Sequence, residues 1–123
     1  MATLSTEEFE AIVRETIEGL PEEFRAELDR RNIVVAVKDY PTPHELAAFG
    51  GRMVLGFYRG VPMHRRGATR LSTWPDRIVI YKNLIERVAH TPEETRALLR
   101  KVVLHEIGHF FGLSDAELRK LGY

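Results

Sequence analysis

The sequence predicts an α+β domain: a small sheet of three or more strands packed on helices. Three short runs, residues 33–37, 53–58 and 77–81, have the length and the β-branched or aromatic content of strands. The segments around them repeat apolar residues with a helical period and begin with recognisable caps. With 123 residues, 44% of them hydrophobic, the chain can bury one core without covalent staples, and no repeat or low-complexity tract breaks it into parts.

The elements follow in order. Ser5 caps a first helix, with Glu8 at the capping-box position and Gly19 near the end. Phe9, Ile12, Val13, Ile17 and Leu20 form its apolar stripe. Pro21 starts a second helix running to about Arg30, which buries Phe24 and Leu28. The run 33–37 is β-branched throughout apart from Ala36 and reads as an interior strand. Pro41, Pro43, Gly50 and Gly51 bracket a loop with one helical turn at 44–48. Strands at 53–58 and 77–81 come next, and a helix follows through Leu84, Ile85 and Val88.

A long helix then has two clear ends. Thr91-Pro92-Glu93-Glu94 supplies an N-cap, a proline in the first turn and a glutamate three residues after the cap. Gly112 marks the stop. Leu99, Val103, Leu104, Ile107, Phe110 and Phe111 make it apolar over most of its girth, so it should run through the middle of the domain. Ser114 caps a last short helix, with Glu117 in the box position and Ala116, Leu118 and Leu121 as its apolar side.

The polar side of the long helix carries the chemistry. His105-Glu106-Ile107-Gly108-His109 is an H-E-x-x-H pattern, and it continues through Gly112 to Asp115. Residues four apart on a helix share a face, so His105 and His109 can each offer an imidazole nitrogen to one zinc ion. Glu106 lies roughly 80° around the helix from the midpoint of that pair, beside the metal rather than on it, the place for a general base. Gly112 can adopt the left-handed conformation that ends a helix, and the turn lets Asp115 return to the metal as third ligand. A fourth position then stays open, as in catalytic rather than structural zinc sites. The five-residue pattern alone arises readily by chance; the extended one is far more specific. The bland alternatives are two core histidines, and for Asp115 an acid favoured by the dipole of the last helix.

Composition narrows the classes. The chain has no cysteine, which excludes disulfides and thiolate zinc ligands. Its N-terminus is unlike a signal peptide and no apolar run approaches membrane-spanning length, so the expectation is a cytoplasmic protein without a membrane partner. The net charge of zero hides an asymmetry: nine acids against Arg14 and Arg25 in residues 1–29, and eight basic residues against Asp76 and Glu86 in residues 52–87. Solvated, complementary faces explain this most simply. A nucleic-acid partner would need a recognition motif, and none is present.

Residues 60–70 are too long and polar for a hairpin turn. Arg65, Arg66 or Arg70 can bind substrate carboxylates from such a loop, and a merely disordered surface loop accounts for the segment equally well. His64 is the foremost further candidate for a ligand or transition-state donor. Tyr58 and Tyr81 can donate to an oxyanion if they reach the site, although core packing is the simpler reading of both. His44 and His90 sit near helix ends and have capping explanations.

The stretch from His105 to Asp115, continued by Ala116-Glu117-Leu118, resembles the minimal zincin-like metallopeptidases of bacteria. The resemblance implies a metzincin-like arrangement: one zinc ion held by His105, His109 and Asp115, with Glu106 as base. It also implies an abbreviated zincin fold with a mixed sheet above the active-site helix, and a peptide or protein as substrate. One departure stands out. Larger metzincins carry a methionine turn after the third ligand, whereas no methionine follows Asp115 here, and Met53 and Met63 lie upstream. The rival to a peptidase is therefore a metal-containing binding module without catalysis.

Overall fold

A computed structural model describes residues 4–60 and 76–120. The described elements are α1 (Thr6–Glu18), α2 (Glu22–Arg30), β1 (Val34–Lys38), α3 (Pro43–Ala48), β2 (Gly56–Arg59), β3 (Arg77–Tyr81), α4 (Lys82–Val88), α5 (Pro92–Phe110) and α6 (Asp115–Lys120). The class is α+β as expected, with a mixed three-stranded sheet against helices, an abbreviated zincin-like fold.

The boxes at Ser5 and Ser114 form as expected, whereas the one at Thr91 forms only in part. The Ser5 hydroxyl accepts from the Glu8 N–H at 3.0 Å while the Glu8 carboxylate accepts from the Ser5 N–H at 2.8 Å. At α5 the Thr91 hydroxyl accepts from the Glu94 N–H, but the Glu94 carboxylate reaches back one residue further, to the His90 N–H. Three of the described helical ends need left-handed backbone, among them that of α3, which Gly50 (φ 68°) follows. Asn32 (φ 57°) follows α2, and Gly112 (φ 85°) follows α5.

β3 is the central strand, parallel to β1 and antiparallel to β2. Ile78 and Ile80 point to one face of the sheet, where they join Phe9, Ile12 and Val13 of α1 and Leu99, Val103, Ile107 and Phe110 of α5. Val79 and Tyr81 point to the other face and meet Leu84, Phe49 and Phe57. Helices α1 and α5 thus pack on each other and on the same face of the sheet, α1 against β1 and α5 against β2 and β3. Each fully buried large apolar side chain there contributes about 1.5–3 kcal/mol, which makes α5 the axis of the core.

Two strand expectations need correction. Among the described residues β1 pairs with β3 alone and is an edge strand, not an interior one: Val34 is 44% exposed, and of its residues only Val35 and Val37 pack on the main core. A β-branched run satisfies a strand buried on one face as well as one buried on two, and the central place goes to β3, whose residues from Ile78 to Tyr81 are all buried. β2 begins at Gly56, three residues later than expected, and Met53 is solvent-exposed. Among the described residues no helix is long and apolar enough to cross a membrane.

Candidate metal centre

The side chains of His105 and His109 emerge from one face of α5, their ring centroids 4.7 Å apart. Two features of the chain bring Asp115 to them. Gly112 closes α5 with paired hydrogen bonds, Leu113 N–H to Gly108 O and Gly112 N–H to His109 O, both 2.9 Å. Ser114 then caps α6 in a reciprocal pair with Glu117. Asp115, the first residue of α6, consequently faces back along α5. Its Oδ1 lies 3.2 Å from His105 Nε2 and 3.3 Å from His109 Nε2.

This donor set fits zinc. Two imidazole nitrogens and a carboxylate oxygen all lie within 4.8 Å of one another. With zinc–ligand bonds of about 2.0–2.1 Å, the edges of a tetrahedron are about 3.3 Å, which is the spacing between the oxygen and each nitrogen. His109 Nδ1 lies 3.3 Å from the Leu113 carbonyl. Donation from Nδ1–H to that oxygen assigns the tautomer that leaves Nε2 with its lone pair toward the site, the outer-shell arrangement typical of metal-binding histidines.

Glu106 is 7% exposed and stands beside the triad. Burial pushes its carboxyl pKa up to about 8, the Tyr58 backbone N–H it accepts from pulls the value down, and the charge of Asp115 raises it further. Without a cation this carboxyl keeps its proton at neutral pH; a cation held by the neighbouring cluster would oppose the burial and favour the carboxylate, the form that accepts a proton. The cleft measures about 530 Å³, and Gly56, Phe57, Tyr58, Gly60, Glu106 and His109 help to line it.

The wall opposite α5 is β2. The Leu55 carbonyl accepts from the Tyr81 N–H, so by strand alternation the backbone groups of Gly56 and Tyr58 point away from β3. β2 can approach α5 closely because residue 56 has no side chain: a Cβ there would lie 2.8 Å from the Val79 carbonyl oxygen and 2.9 Å from Val102 Cγ1. Gly108 plays the same part for α6, since its Cβ would lie 2.3 Å from Leu118 Cδ2. The sequence reading missed both glycines. An isolated glycine inside an otherwise apolar helix is the signal that was available for Gly108.

The structure thus brings together His105, Glu106, His109 and Asp115. It does not bring Tyr81. That residue is fully buried on the sheet face opposite α5 and lines neither this cleft nor the neighbouring one, which corrects its assignment to substrate binding. Burial and then the nearby Glu45 carboxylate raise the pKa of its phenol, as expected of a core tyrosine. Tyr58 does line the cleft, but its hydroxyl donates to Asp76 at 3.1 Å. His64, Arg65, Arg66 and Arg70 lie outside the described residues.

Comparison with known proteins agrees with this architecture. A conserved hypothetical protein from T. thermophilus has a similar structure, with TM-score 0.57 and 23% identity, covering 88% of this chain and 94% of that one; the likeness is one of fold. No curated protein matches significantly. The family model for zincin-like metallopeptidases matches residues 30–123, a span that holds the whole sheet and the His105–Asp115 cluster, and the chain belongs to that family.

Proposed function

We propose that this protein is a zinc-dependent metallopeptidase in which His105, His109 and Asp115 hold one zinc ion and Glu106 is the general base. One observation carries the reading: three ligand atoms lie within 4.8 Å of one another, the Asp115 oxygen at tetrahedral spacing from each histidine nitrogen, beside a buried carboxyl at the wall of a cleft. Zinc in such a site supplies a Lewis acid for a carbonyl oxygen and lowers the pKa of water from about 15.7 toward 7. Glu106 accepts the proton of the attacking water on its carboxylate and returns it to the leaving amine. The Tyr58 N–H holds that carboxylate in place, and a nearby cation would bring its pKa down from the metal-free value toward working pH. The backbone of Gly56 and the Tyr58 carbonyl, which point away from β3, can hold an extended peptide beside the ligand pair, the Tyr58 N–H being taken by Glu106. With no cysteine in the chain, the site needs no oxidising compartment, and a cytoplasmic setting is part of the proposal.

The second reading, a metal-containing binding module, has one observation in its favour. The cleft tyrosine best placed to stabilise an oxyanion already donates its hydroxyl to Asp76. The Glu106→Gln variant separates the two. A peptidase should keep zinc in this variant and lose at least about 10²–10⁴-fold in turnover. Zinc-loaded wild type that turns over nothing in a broad peptide library belongs to the binding module.

A further inference from the structure

The ligand face of α5 does not end at His105. Leu98, Lys101 and Val102 continue it toward the N-terminus at helical spacing. Together with Leu55, Gly56, His105 and Glu106 they line a second cleft of about 270 Å³. Gly56 and Glu106 border both clefts, which therefore adjoin as two halves beside β2, with His109 on the wall of one and His105 on the wall of the other.

The chemistry of this half is asymmetric. Leu55, Leu98 and Val102 give it apolar walls. Lys101 is exposed and has no ion-pair or hydrogen-bond partner among the described residues. The one acid in the lining, Glu106, is buried and held by the Tyr58 N–H. The Lys101 ammonium is in water, so its attraction for an anion is the modest one of a solvent-screened charge, while the apolar walls add contact for the rest of the bound side chain.

Lys101 is one helical turn from His105, about 6 Å along the axis. An extended peptide advances about 3.3 Å per residue. A side chain one or two residues from the bond held at the histidine pair therefore reaches Lys101. We infer that this half of the groove is a specificity subsite for a carboxylate one or two residues from the scissile bond, carried by a Glu or Asp side chain or by a free C-terminus, with Lys101 as its counter-charge. The inference rests on the peptidase reading for what occupies the groove.

Binding tests it without requiring turnover. Fluorescein-labelled hexapeptides of neutral residues, paired to differ only as Glu against Gln at each position in turn, are titrated by anisotropy into the Glu106→Gln protein, where bound peptide stays intact. A further pair differs as free acid against C-terminal amide. The Glu or free-acid member should bind about three- to tenfold tighter, the worth of a partly screened charge pair. Lys101→Met in the same background should remove the difference, and Lys101→Glu should reverse it. The Glu series and the acid/amide pair distinguish a side-chain carboxylate from a terminal one. Equal affinities within every pair, a preference that survives Lys101→Met, or no binding of any peptide overturns the subsite. Turnover of the same peptides by wild type reads the peptidase proposal separately. Cleavage without charge preference leaves the peptidase and removes the subsite; a Lys101-dependent preference without cleavage does the reverse.

Discussion

Leu118 packs into the notch that Gly108 leaves on α5, so closely that a Cβ on residue 108 would stand 2.3 Å from Leu118 Cδ2. Leu118 is fully buried, and it lies one turn beyond Asp115 on α6. The contact therefore sets the distance at which α6 carries Asp115 toward the two histidines. Gly108 touches no ligand atom, yet the geometry of the third ligand depends on it.

Gly108→Ala should for this reason lower zinc affinity about 10–100-fold, the scale of a lost outer-shell support, and destabilise the fold by about 1–3 kcal/mol through overpacking. The double variant Gly108→Ala with Leu118→Ala makes room for the methyl group and should recover part of the affinity, a coupling that independent sites do not show. Chelator competition measures the first effect and thermal melts the second. Unchanged affinity in Gly108→Ala would remove this contact from the account of the site.

The two histidines carry a plainer prediction. His105→Ala and His109→Ala should each purify with little zinc, since two remaining ligands hold the ion poorly. Both variants should keep the helical circular dichroism of the wild type, because Leu99, Val103, Ile107 and Phe110 hold α5 in the core without the metal. Full occupancy in His109→Ala contradicts the ligand assignment.

Glu106 predicts a pH dependence of the metal-free protein. Its folded pKa of about 8 lies above the ordinary value of 4.5. Between those two values the native state keeps a proton that the unfolded chain has released, so stability falls as pH rises. Below pH 4.5 and above pH 8 this group contributes no slope. The loss across the window is on the order of a few kcal/mol at this degree of burial. Glu106→Gln, which cannot ionise, should be more stable than wild type at about pH 8 once both are stripped of metal. The gap should close toward pH 4.5, the ordinary pKa. Parallel denaturant titrations at about pH 5 and about pH 8 read the difference directly. A gap of the same size at both pH values argues against a buried ionisable carboxyl.

Much of the site was legible because its signals are local. The His105/His109 spacing, the Gly112 stop and the Ser114/Glu117 cap each lie within a few residues, and helical geometry turns such spacing into direction. The sheet was less legible, because strand order depends on contacts between residues far apart in sequence. Nothing within residues 33–37 says that Val34 lies at an edge, and nothing within 77–81 says that Tyr81 faces away from α5. The close approaches at Gly56 and Gly108 are long-range in the same sense: each glycine matters through what another element places against it, Val79 and Val102 in one case and Leu118 in the other.

Asp115 offers the sharpest separation between ligand and helix-stabilising residue. The N-cap of α6 is already supplied by Ser114, with Glu117 closing the box, so the Asp115 carboxylate is not needed for capping. Its remaining structural role is an acid in the first turn, worth about 0.3–1 kcal/mol through the helix dipole. As third ligand it does far more. Asp115→Ala should then weaken zinc strongly, while Asp115→His should restore much of the affinity, since imidazole suits zinc and the position already faces both histidines. Competitive chelator titrations, run beside thermal melts of the metal-free forms, give both quantities on the same samples. An affinity loss below about threefold in Asp115→Ala, well short of the 10–100-fold that even outer-shell losses cause, would falsify the three-ligand reading. His64 would then be the first residue to test as the missing partner.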